Sequence, residues 1–115
     1  MATTFDIGRR AEAAAAEFLR EKGCKVIEQN WRTRQCEIDV VACRGNVVYF
    51  AEVKYRRTNA HGAGLEYVTT KKLEQMRFAA RSWVHAHAWR GEFQLCAIEV
   101  SGEDFRVTNV VKDLG

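Results

Sequence analysis

Glu37-x-Asp39 and Glu52-x-Lys54 are the residues of this 115-residue chain whose types and spacing can do chemistry. They fall in two runs, 36–42 and 47–54, rich in β-branched and aromatic residues and separated by a turn containing Arg44-Gly45-Asn46. That pattern predicts a β-hairpin. Side chains two apart share a strand face, so Glu37 goes with Asp39 and Glu52 with Lys54. If the two faces coincide, three carboxylates and one lysine gather in one patch. Unit charges about 6 Å apart at an effective dielectric of about 20 repel by roughly 3 kcal/mol per pair, which Lys54 alone does not cancel. A divalent hard cation with oxygen ligands is the natural neutraliser. The competing readings are solvent exposure at a sheet edge, or a structural network of ion pairs with nearby arginines.

The elements that must position these groups are readable from periodicity. Residues 5–22 form an amphipathic helix with Ile7, Ala11, Ala14, Ala15, Phe18 and Leu19 on one stripe. Glu12 sits at the edge of that stripe, with Gly8 leaving space one turn earlier. It either approaches something functional inside or snorkels past the rim. Gly23 reads as the C-cap. A short strand over 25–28 leads to Asn30-Trp31-Arg32-Thr33-Arg34, where the tryptophan either stacks on a base or covers the core at a strand end.

After the hairpin the chain turns basic, with Lys54, Arg56, Arg57, Lys71 and Lys72 opposed between them only by Glu66. Residues 58–64 read as a mobile loop. The run is either a solvated charged surface or a rim that holds phosphates beside the acids. Thr69 or Thr70 caps a second helix running to about residue 90, with Leu73, Met76, Ala80, Trp83 and Val84 on its apolar stripe and Gly91 as its stop. Two strands follow, over 93–100 and 105–111, joined by a turn at 101–104. The order is α-β-β-β-α-β-β: an α/β fold with a mixed sheet flanked by helices.

Composition bounds the rest. At 47% hydrophobic and 29% charged, the chain reads as one globular domain over 1–115. No apolar run approaches the ~20 residues of a membrane span, and Met1 opens a polar, helix-like segment rather than a signal peptide. The expectation is a cytoplasmic protein without a membrane partner. The net charge of +3 is mildly basic, and its distribution says more than its sum. Cys24, Cys36, Cys43 and Cys96 lack C-x-x-C spacing and read as small buried hydrophobes in a reducing compartment. His85 and His87 read as surface residues, and His61 carries no signal of its own.

At Gly8-Arg9-Arg10-Ala11-Glu12, Asn30-Trp31-Arg32, Glu37-Ile38-Asp39, Glu52-Val53-Lys54 with Arg56, and Val68 followed by Lys72, nearly the whole chain resembles the YraN-like family of predicted endonucleases. That family belongs to the PD-(D/E)xK superfamily and is related to archaeal Holliday junction resolvases. The resemblance implies a restriction-endonuclease-like fold and Mg²⁺- or Mn²⁺-dependent cleavage of DNA, branched or junction DNA included. It implies that Asp39, Glu52 and the main-chain carbonyl of Val53 bind the metal. Lys54 would orient or deprotonate the attacking water, or stabilise the developing charge. Glu12 would approach the metal directly or through water, with Glu37 in support. Arg32, Arg56, Arg57 and Lys72 would contact nucleic acid, and a homodimer would place two sites on two strands. Two positions depart from the family: Cys36 stands where glycine is usual, and Gln94 follows Phe93 where an aspartate is usual. A non-catalytic nucleic-acid-binding or adaptor module that keeps the fold is the alternative.

Overall fold

Thr3 starts the first helix. Its hydroxyl accepts the Asp6 N–H at 3.1 Å while the Asp6 carboxylate accepts the Thr3 N–H at 3.3 Å, a reciprocal cap that satisfies two end groups at once. In this computed structural model, which describes residues 3–58, 68–112 and 114, α1 spans Thr4–Glu21. It ends where Gly23, at φ +90, lets the Gly23 and Cys24 N–H groups fold back onto Arg20 O and Leu19 O. Ala11, Ala15, Ala16 and Leu19 are its buried face. Ala16 joins the expected stripe because small side chains let the helix lie close against the sheet.

Five strands follow the predicted order: β1 (Lys25–Arg32), β2 (Glu37–Arg44), β3 (Val47–Arg56), then α2 (Thr70–Ala86), β4 (Glu92–Ser101) and β5 (Arg106–Val111). They form one sheet in sequence order. β1–β2, β2–β3 and β4–β5 are antiparallel, whereas β3–β4 is parallel because α2 crosses between them. The β2–β3 turn is the two residues Gly45-Asn46, with Gly45 at φ +60, as a tight hairpin requires. α1 covers one face, over Val40, Ala42, Ala51, Cys96, Ile98 and Val100. α2 covers the other, over Ile38, Val41, Val48, Phe50 and Leu95. The result is a mixed sheet between two helices.

Three expectations are corrected. β1 runs to Arg32 rather than stopping at residue 28, because a bulge at Ile27 and a left-handed Asn30 (φ 56) keep it paired with β2 while it bends. α2 stops at Ala86, four residues early. Ala88 adopts φ 50 and its N–H, with that of Trp89, closes onto His85 O and Val84 O, so the terminating turn is built on alanine and not on Gly91. Of the four cysteines only Cys96 is buried; Cys24, Cys36 and Cys43 are half-buried at the cluster margins. All four thiols are free, and burial pushes that of Cys96 up to about 12. The loop expected over 58–64, with His61, and Glu66 lie outside the described residues apart from Thr58.

Candidate active site

The site is made by a split in the sheet. β2 stays paired with β1 as far as Arg32↔Glu37, but its pairing with β3 ends at Val40↔Ala51. One step beyond, Asp39 and Glu52 face each other across the opening. Strict alternation would put Ile38 with Val40 on the α1 side, yet Ile38 packs on the α2 side with Val41, so β2 turns as it leaves β3. Asp39 is thereby reached from both faces. It lines the α1-side cleft with Gly8, Glu12 and Asn30, and a narrow pocket with Glu52 and Met76 on the α2 side. Its Oδ2 accepts the Val53 N–H at 2.8 Å, giving that donor a partner where strand pairing has stopped.

Electrostatics mark the same place. Burial, then the neighbouring charge of Glu52, pushes the Asp39 carboxyl up to about 7; the Val53 N–H pulls the other way, and Glu12 and Glu37 add to the rise. Three carboxylates, from α1, β2 and β3, therefore act on Asp39. Glu12 is half-buried and lines the α1-side cleft together with Asp39. Gly8 has open space where a Cβ would stand.

The cations are arranged differently from a simple rim. Lys72 Nζ lies 3.1 Å from Glu52 Oε1, and Arg32 pairs with Glu37 at 3.3 Å across two well-exposed side chains. Arg56 donates to Glu99 at 2.6 Å. Lys54 and Arg57 are exposed. Lys54, two residues beyond Glu52, stands beside Glu99 in the β3–β4 register. Among the described residues no three histidine, cysteine, aspartate or glutamate side chains converge tightly enough to hold an ion as they stand. The donor chemistry nonetheless suits a hard cation: two carboxylates across a narrow gap plus the main-chain carbonyl of Val53 are all oxygen ligands.

Of the two family departures, Cys36 lies in the turn after β1, where Thr33 Oγ1 accepts the Gln35 and Cys36 N–H groups at 3.1 and 3.2 Å. It lines the α2-side cleft beside Glu37 and Glu52. Gln94 pairs with Tyr49, three positions from the Ala97 that stands beside Glu52. At about 3.3 Å per residue that is roughly 10 Å away along the strand, so this substitution leaves the acids untouched.

Trp31 packs against the α2-side core and lies edge-on to His87, 5.9 Å between centroids, which favours its core-covering reading. His87 is more than a surface residue: it stacks on Trp83 at 4.1 Å, meets Trp83 O at 2.9 Å through Nδ1, and reaches Glu28 at 3.2 Å through Nε2. Sequence reasoning missed Glu99, 2% exposed and flanked by apolar neighbours on β4; a lone acid inside the run 95–100 was the available signal. It also missed the left-handed Asn30, which stands opposite Asp39.

These features define a class: a mixed five-stranded sheet between two helices, with an acid cluster where its second and third strands part. Residues 11–104 match the model of "Uncharacterised protein family UPF0102". Among its relatives, a UPF0102 protein of Cytophaga hutchinsonii is 36% identical over 100 residues, covering 87% of this chain and 88% of that one. One of Pseudomonas syringae pv. syringae is 42% identical over 96 residues, covering 80% and 78%. The chain belongs to the UPF0102 family.

Proposed function

We propose that this protein is a metal-dependent endonuclease that hydrolyses phosphodiester bonds of DNA. The observation that carries this reading is Asp39 at the strand split, where burial first, and then the charges of Glu52, Glu12 and Glu37, push its carboxyl up to about 7. Mg²⁺ or Mn²⁺ held by Asp39, Glu52 and the Val53 carbonyl would supply a polarised phosphate and an acidified water. Lys54 then orients the water that attacks phosphorus, or stabilises the charge developing there, as the P–O ester bond breaks and the departing oxygen takes a proton. Arg32, Arg56, Arg57 and Lys72 grip the backbone, with salt-sensitive affinity that ignores sequence. Lys72 becomes available to a phosphate once Glu52 turns from it. Branched DNA is the form that the resemblance to junction resolvases suggests.

The non-catalytic readings, an adaptor module or a structural ion-pair network, draw on one observation of their own. Glu52 and Glu37 already carry cationic partners in Lys72 and Arg32, an arrangement that a structural network would also adopt. A labelled panel of four-way junction, flap, linear duplex, single strand and RNA, incubated with Mg²⁺ or Mn²⁺, separates the two. Metal-dependent cleavage by wild type that vanishes in Asp39→Ala and Lys54→Ala, with binding retained, is the expected result. Tight binding by all three proteins without cleavage would transfer the protein to the adaptor class.

A further inference from the structure

Away from the acids, one place in the fold collects positive charge without a counter-charge. Lys22 caps the end of α1, Arg44 closes β2, and Lys112 follows β5. All three line a cleft of about 50 Å³ on the α1 side of the sheet, walled by Phe18, Tyr49 and Val110. Among the described residues no carboxylate lines it. Arg44 reaches over the end of α1, its Nε 3.8 Å from where a Cβ on Gly23 would stand. Cys24 lies between the cations: burial raises its thiol, while Arg44 and then Lys112 pull it back down.

The contrast with the acid site is one of pairing. There Lys72 meets Glu52, Arg32 meets Glu37 and Arg56 meets Glu99. Among the described residues Arg44 and Lys112 have no ion pair, and Lys22 Nζ lies over the Phe18 ring at 5.3 Å. Nor does the end of α1 call for three cations. Its Phe18, Leu19 and Arg20 carbonyls already accept the N–H groups of Lys22, Gly23 and Cys24, and the helix dipole acts only over the last turn. The uncompensated charge therefore stands at the opposite end of the sheet from the acids. Arg44 is five residues beyond Asp39 on β2, about 17 Å, and Lys22 is ten beyond Glu12 on α1, about 15 Å.

We infer that this cleft holds a backbone phosphate of nucleic acid, so that one arm of the substrate lies along α1 from the acids to Arg44. At 3.4 Å per base step the contact falls about five base pairs from the bond to be cut. The cleft has room for roughly three to five waters, enough for one phosphate group. Free phosphate is the other source of the same chemistry. Its usual sites offer backbone N–H groups at a helix N-terminus, whereas this cleft sits at a helix C-terminus and offers long cationic side chains. Those suit a polyanion, whose neutralised phosphates release counterions.

This inference rests on the nucleic-acid reading above, and its test separates the two. A labelled duplex is titrated by fluorescence anisotropy in EDTA over a range of salt concentrations. The proteins are wild type, Lys22→Ala, Arg44→Ala, Lys112→Ala, the triple variant and, as a control on α2, Arg81→Ala. Each cleft variant is expected to lower the slope of log K against log salt by about 0.9, and the triple variant by about 2.7, with Arg81→Ala unchanged. An unchanged slope in the triple variant, or an equal change in Arg81→Ala, would overturn the contact and leave the nuclease reading to the cleavage panel. Inorganic phosphate is titrated alongside by calorimetry. Phosphate binding that the triple variant loses while its duplex slope stays at the wild-type value would overturn the backbone contact in favour of a free-phosphate site. A wild type that binds no nucleic acid in any form would overturn both readings.

Discussion

Asp39 carries a cost that other parts of the molecule hold in place. Its folded carboxyl keeps a proton to about pH 7 because of burial and of Glu52, whereas the unfolded chain releases it near the ordinary value of 3.8. Between those pH values the folded state binds the extra proton, so the contribution of Asp39 to stability is fully present below about pH 4 and is lost as pH rises through 7. The limiting size is on the order of 4 kcal/mol. Asp39→Asn keeps the shape and an acceptor for the Val53 N–H, so in metal-free buffer it should flatten that fall and stabilise the protein at pH 8. Urea melts from pH 4 to 8 are the check, and a wild-type curve that rises over this range would contradict the electrostatic account. Glu99 is the opposite case, a buried acid with a bonded cation. Glu99→Ala removes this hydrogen-bonded ion pair, with an expected loss of about 2 kcal/mol, measured by the same melts.

At the scale of elements, both helices end on left-handed residues, and the two residues differ in what that costs. Gly23 adopts φ +90 without a Cβ to crowd, while Ala88 adopts φ 50 with one. The left-handed conformation costs an L-residue roughly 1–2 kcal/mol, partly offset by the greater freedom that glycine has when unfolded. Ala88→Gly should therefore stabilise the protein by up to about 1 kcal/mol, read as a higher midpoint of denaturation at unchanged m-value. The same end of α2 is tied to β1 through Glu28, which accepts from Trp83 Nε1 at 3.0 Å and meets His87. Both ring nitrogens of His87 face acceptors, Trp83 O and Glu28.

For the whole molecule, the site depends on how far β2 and β3 stay together before parting. Their closed end is pinned to β4: the Glu92 N–H donates to Asn46 O at 2.8 Å, and a Cβ on Gly91 would stand 2.6 Å from that same oxygen. Gly91 thus serves close approach rather than helix termination. Gly91→Ala forces the turn away from β4 and should destabilise by about 1–3 kcal/mol, the usual cost of overpacking. Thermal melts give the size, and an unchanged midpoint would show that the turn moves freely. No helix among the described residues is long and apolar enough to cross a membrane.

The sequence by itself determined the elements and their order, because helices and strands follow from the 3.6- and 2-residue periods of neighbouring residues. Glu37, Asp39, Glu52, Lys54 and Glu12 were all legible as candidates on that basis. Tertiary structure decided what stands against what. Nothing local announced that β2 pairs with β3 only from Val40 onward, that Lys72 meets Glu52, or that Glu99 is buried under Arg56. These contacts join residues 13 to 43 positions apart, and their geometry is set by sheet register and twist, which no short window of sequence contains. The early end of α2 had a further cause: alanine took a backbone conformation that the rules reserve for glycine. The candidate site is therefore a property of the split in the sheet, and the sequence could supply only its side chains.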